Sequence, residues 1–216
     1  MSSEFGYIPE SPEQSFGNNK GIFTPTDIYD LTRADKFTQY GQLGLLQTQT
    51  ISTAAAEFTS LDVSTYNVHL FVYSDLITPA STQTEFTLRV SDDGGSSYET
   101  SNYHFANQRG YASGTFNERK STSQASIRLF GDITGDANGK GNGYCYMYQA
   151  GDSTRYTLFS NHNTFLQTNS AYGMEFGGGL YAVASTINAV RFNFGADNST
   201  NIESGKFSVY GIKEYT

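Results

Sequence analysis

The chain has 216 residues, of which 37% are hydrophobic and only 16% charged, with 16 Tyr, 16 Phe and 22 Gly beside no Trp, and it carries a net charge of −8. Its 13 Lys and Arg are scattered, which leaves no electrostatic footprint for nucleic acid, and no apolar run approaches the length of a membrane span. Cys145 is the single cysteine, so neither an intrachain disulfide nor a cysteine metal cluster can form, and a chain of this length can bury a core without either.

Residues 1–45 read as an arm rather than as core. Pro9, Pro12 and Pro25 fall here beside Gly6, Gly17, Asn18, Asn19 and Gly21, while Phe5, Tyr7, Ile8, Phe16, Ile22 and Phe23 punctuate the segment singly. Exposed aromatics gain nothing in water, so they serve as anchors, either for a partner surface or for the chain's own domain. The N-terminus has no basic region followed by an apolar run, so no secretory signal is expected and synthesis in a cytoplasm is. Thr24, Pro25 and Asp27 form a helix start, with Thr24 at the cap and Pro25 at the first helical position. Ile28, Leu31, Ala34 and Phe37 supply an apolar stripe, which predicts one short amphipathic helix over about 25–38 that needs a surface to lie on.

Residues 46–216 carry strand patterns at short spacing. Gln42 to Glu57 is Gln- and Thr-rich and leads in through a strand. Val68, Leu70 and Val72 alternate with His69, Phe71 and Tyr73, and two apolar rows predict a strand covered on both sides. Phe86, Leu88 and Val90 form the next inward row, closed by a hairpin turn at Asp92-Asp93-Gly94-Gly95-Ser96. Further strands are read at Tyr98 to Phe105, Ile127 to Phe130, Tyr144 to Tyr148, Tyr156 to Phe159 and Leu180 to Val183. Val190, Phe192 and Phe194 then alternate with Ala189, Arg191 and Asn193, and Phe207 and Val209 begin a last strand. About eight or nine strands at such spacing predict an all-β antiparallel sandwich of jelly-roll type, preceded by the extended arm and its one helix.

Candidate chemistry is thin. Asp132, Thr134, Asp136 and Asn138 alternate as in a calcium loop, but Ala137 stands where the turn needs Gly and Gly143 where a bidentate acid is required. His69, His104 and His162 show no metal spacing, and no nucleophile elbow, phosphate loop or His-Glu-x-x-His occurs. No metal, cofactor or catalytic residue is therefore expected. Carboxylates for a glycosidase pair exist (Glu85, Glu99, Asp75, Glu118 and Glu175), as they do in any acidic chain. A second reading is sugar binding by Tyr103, Tyr111, Asn107 and Arg109, with Gln108, in a loop after the Tyr98 strand, where rings stack and amides bond hydroxyls. The simpler reading makes those tyrosines strand or contact residues.

Three segments carry a resemblance. FTLRVSDDGGSSY (Phe86 to Tyr98), INAVRFNF (Ile187 to Phe194) and ESGKFSVYGIK (Glu203 to Lys213) together resemble tailed-bacteriophage virion proteins with a jelly-roll sandwich. The opening NNKGIFTP and IYDL, ending at Pro25 and Leu31, resembles N-terminal segments of structural proteins from marine phages and cyanophages. The resemblance implies a non-enzymatic structural protein on the virion exterior, assembled in the host cytoplasm, with other virion proteins as partners. A capsid decoration or cement subunit fits the length, docked on the major capsid protein through Phe5, Tyr7, Ile8, Phe16, Ile22, Phe23, Ile28 and Leu31. A tail, neck, baseplate or fibre accessory that binds a host surface glycan is the alternative, and a homo-oligomer such as a trimer is implied in either place.

Overall fold

The computed structural model describes residues 23–34, 42–52, 54–79, 84–114, 116–133, 139–167, 171–195 and 200–214. The chain divides into two units, residues 1–42 and 43–216. The described part of the first is α1, Pro25–Arg33, with Ala34 at its C-cap. Its start is the expected capping box: the Asp27 amide donates to Thr24 Oγ1 at 3.2 Å and the Thr24 amide to Asp27 Oδ2 at 2.8 Å. The Thr24 hydroxyl, which donates to Asp27 Oδ2 at 2.6 Å, and then the Thr24 amide hold the Asp27 carboxyl below its usual pKa. α1 ends sooner than the stripe suggests, and Phe37 lies outside the described residues.

The second unit contains twelve strands among its described residues. They are β1 Leu43–Ile51, β2 Ala56–Phe58, β3 Val68–Ile77, β4 Thr84–Ser91, β5 Tyr103–Tyr111, β6 Phe116–Gln124, β7 Ile127–Ile133, β8 Gly141–Tyr148, β9 Thr157–Leu166, β10 Tyr172–Tyr181, β11 Ala189–Phe194 and β12 Ser204–Ile212. They form a large sheet in the order β1-β12-β3-β8-β9-β10-β5-β6 and a small sheet in the order β2-β11-β4-β7, and every ladder is antiparallel. Leu43 to Leu45, grouped with the arm on sequence, open β1 and pair with Ile212 to Tyr210.

The order identifies a jelly roll with an extension. Without β5, β6, β9 and β10, eight strands remain as β1-β12-β3-β8 facing β2-β11-β4-β7. First pairs with last (β1 with β12), second with second-last (β2 with β11), and so on inward through β3 with β8 and β4 with β7. That is one long antiparallel ribbon rolled on itself, which closes both sheets over a common core. The remaining four strands continue the large sheet beyond β8, and β7 packs beneath β5, β9 and β10.

Side chains follow the pleat. Phe207 and Val209 of β12 point into the core while Lys206, Ser208 and Tyr210 point away. The core is unusually aromatic: Phe192 has the rings of Phe58, Phe71, Tyr73, Phe86 and Phe207 within 5.3–6.0 Å. Gly211 is required by the Tyr66 ring, because a Cβ there would sit 2.4 Å from Tyr66 Cγ. Gly94 and Gly95 hold φ values of +77° and +88° in the turn after β4, which the Asp93 carboxylate ties to Ser91 and Ser97. Those bonds, the Ser97 hydroxyl first, lower the Asp93 pKa to about 2.

β3 departs from expectation. His69, Phe71 and Tyr73 are buried, but the other apolar row, Val68, Leu70 and Val72, faces away from the core and is covered on one side only. His69 is buried with Nε2 donating to the Leu61 carbonyl at 2.5 Å, and burial lowers its pKa against that bond and the charge of Asp62. A base with a lowered folded pKa contributes its full stability above its unfolded pKa of about 6.5, and loses it as pH falls through the folded value. Urea unfolding between pH 8 and 5.5 is expected to show stability falling with pH across that window, with a shallower fall in His69→Gln. An equal slope in both proteins would refute the assignment.

Candidate interaction face

The residues expected to bind sugar lie on a strand, not in a loop, because β5 begins at Tyr103 where the reading from Tyr98 had it nearly finished. Their parity turns them inward. Tyr103 is fully buried; its hydroxyl accepts from the Val90 amide at 2.8 Å and donates to the Glu99 carbonyl at 3.3 Å, and burial raises its pKa. Asn107 and Arg109 are buried too, and Tyr111 is half-buried with the Arg109 guanidinium 4.9 Å from its ring centroid. These four belong to the interior of the extension, so the surface-loop site is corrected to a core position.

They border a polar seam between the sheets. Glu175 of β10 is 0% exposed, with its Oε1 3.7 Å from Arg128 Nε of β7 and accepting from Asn107 Nδ2 at 3.2 Å. Arg128 also donates to Glu85, while Asn107 Nδ2 donates to the Arg128 carbonyl at 2.9 Å. Asn163 Nδ2 reaches the Asn161 side chain at 2.8 Å and the carbonyls of Leu129 and Glu175, and its Oδ1 accepts from the Tyr73 hydroxyl. Burial raises the Glu175 pKa, against the nearby Arg128 charge and the Asn107 bond. Burial likewise lowers that of Arg128, against Glu175 and Glu85. Both glycosidase candidates in this region, Glu85 and Glu175, are thus engaged by one guanidinium that pins the extension to the small sheet. Among the described residues no group of three or more His, Cys, Asp and Glu could hold a metal, and Thr134, Asp136 and Asn138 lie outside them. Cys145 is free and buried, with its thiol pKa pushed up by burial.

The surface that stands out is the opposite side of the large sheet. Strand register aligns Val72, Tyr144, His162, Phe176 and Gln108 in one outward row, and Leu70, Tyr146, Ser160, Gly178 and Ala106 in the next. Tyr144, Leu158 and Phe176 are 41%, 46% and 40% exposed. Small residues at Gly178 and Ala106 leave a trough of about 800 Å³ flanked by Leu158, Leu180, His104 and Lys120. A hollow of about 400 Å³ adjoins it, bordered by Phe176, Gln108 and Glu118. Sequence reading missed this face because the outward apolar row of β3 was assigned to a second covered side.

Of the arm anchors, Phe23 and Ile28 are exposed and Leu31 half-exposed, and no α1 residue is buried. Phe5, Tyr7, Ile8, Phe16 and Ile22 lie outside the described residues.

No known family matches the chain, and no curated protein does. Among solved structures it is similar to the CBM2 module of Lactobacillus casei BL23 phage J-1 evolved Dit, at 13% identity, a TM-score of 0.28 and 82% coverage of either chain. A likeness at that level carries no functional argument. The antiparallel sandwich rests on its own strand order.

Proposed function

We propose that the chain is a non-enzymatic structural subunit of a tailed-phage virion, docked as a decoration or cement protein on the capsid exterior through residues 1–45. The observation that carries the reading is α1: a capped helix with Phe23, Ile28 and Tyr29 exposed and nothing buried, in a unit of the chain separate from the jelly roll. Such a helix is too short to be stable in water by itself and gains by lying on another surface. The resemblance of NNKGIFTP and ESGKFSVYGIK to phage structural proteins supports the same reading.

Deleting residues 1–24 is expected to leave the sandwich folded and to lower the number of copies retained on purified particles by about tenfold or more, the equivalent of at least 1.4 kcal/mol of docking energy. Full occupancy by the truncated protein would overturn the docking role. The exposed aromatic face favours a second placement, in a tail, neck or baseplate accessory whose sandwich meets the host surface. Copy number per particle separates the two: a capsid-wide lattice belongs to the first and a ring or tip to the second.

A further inference from the structure

We propose that the outer face of β8, β9 and β10 is a binding platform for a neutral polysaccharide. The rings of Tyr148, Tyr146, Tyr144, His162 and Phe176 follow one another at centroid steps of 6.1, 5.7, 5.9 and 6.3 Å, a continuous aromatic path that runs along β8 and then crosses two strands. A pyranose offers an apolar C–H face and a rim of hydroxyls, and such a path can meet it ring by ring: Tyr146 and Tyr148 lie near-parallel at 22°, Tyr144 stands nearly edge-on to Tyr146 at 78°, and polar edges lie beside them. Those edges are the phenols, Ser160, which shares a 3.0 Å hydrogen bond with Tyr148, and Gln108 at the end of the row. The trough over Gly178 and Ala106 lies alongside and gives an extended chain room to continue.

Charge selects the partner class. The outward rows of these three strands contain no Asp, Glu, Lys or Arg, in a chain of net charge −8. Glu118 and Lys120, on the border, neutralise each other at 2.7 Å. A neutral polymer meets no repulsion here, whereas an anionic one finds no cluster of cations to pair with and is repelled by the protein as a whole. An acyl chain would cover Thr164 and the phenols of Tyr144 and Tyr146 without satisfying them, which disfavours a lipid surface. The proposal does not depend on where in a particle the protein sits.

The test is affinity electrophoresis of the full chain in native gels containing dextran, galactomannan or mixed-linkage β-glucan, with alginate as the anionic control and phosphatidylcholine vesicles in a parallel sedimentation assay. Retardation by at least one neutral polymer, absent with alginate and vesicles, is expected. The Tyr144→Ala/Phe176→Ala variant should raise the apparent dissociation constant about tenfold or more, while Leu43→Ala, on the edge strand β1 away from the platform, leaves it unchanged. Both positions are exposed, so far-UV circular dichroism and melting should match the parent and separate lost binding from lost fold. No retardation by any neutral polymer, retardation indifferent to the double variant, or binding confined to alginate or vesicles would each overturn the proposal. None of these results depends on particle occupancy, so the docking role stands or falls separately.

Discussion

Phe192→Ala is expected to destabilise the sandwich by about 3–5 kcal/mol, read as a lowered urea midpoint with an unchanged slope. Phe192 sits at the centre of β11, paired on one side with β2 and on the other with β4, and its ring touches aromatics from both sheets. Truncation opens a cavity whose walls are rings held by ladders on either side, so the site cannot collapse to fill it. Phe116→Ala is the matched control: its side chain is 64% exposed on the edge strand, and a change within about 0.5 kcal/mol is expected. A loss below about 1 kcal/mol at Phe192 would mean that the two sheets are not packed through this residue.

Arg128→Ala should cost a similar amount, about 3–5 kcal/mol at neutral pH, for an electrostatic reason. The substitution strands the Glu175 carboxylate at 0% exposure without the cation that partly offsets its burial. The pH dependence follows from direction. Glu175 already has a raised pKa, and losing Arg128 raises it further, so protonation favours the folded variant. Such a group contributes most below its unfolded pKa of about 4.3 and loses that contribution as pH rises through the folded value. The deficit of the variant relative to the parent is therefore expected to shrink between pH 7.5 and pH 5. Replacing both partners, as Arg128→Leu/Glu175→Leu, should recover much of the loss, because neither member of the pair is left buried without the other. A deficit that is constant with pH, or a double variant as weak as the single one, would contradict the buried pair.

Strands with apolar alternation were legible, and those whose signal is polar or glycine-rich were not. INAVRFNF and KFSVYGI announced β11 and β12 because period two was written in Val, Phe and Ile. β6, FNERKSTSQ, has no inward apolar row: it is the edge of the large sheet, where charged residues discourage pairing with a further strand. β10 was seen only at its end, since Gly177, Gly178 and Gly179 have no side chains to show alternation, whereas they allow close approach to β5 and β9. With β6 unread and a single lead-in strand standing for both β1 and β2, about eight or nine strands were expected where the described residues hold twelve. The binding surface was misjudged through β5, since a strand start a few residues late moves residues from loop to ladder and makes Tyr103 part of the core. Tyr144, His162 and Phe176 are far apart in sequence, and only the register of two ladders makes them neighbours.

The ladder of β1 with β12 has a consequence for how the module can be wired. Leu43 lies opposite Ile212, so the sandwich takes in its chain and releases it at a single corner. A domain with both ends at one place can be threaded between foreign segments, or repeated along a scaffold, without any strand being pulled from its sheet. The aromatic rows of β8, β9 and β10 lie further along the same sheet, beyond β3. One corner can serve as the handle while the proposed polysaccharide platform, further along the sheet, is left free.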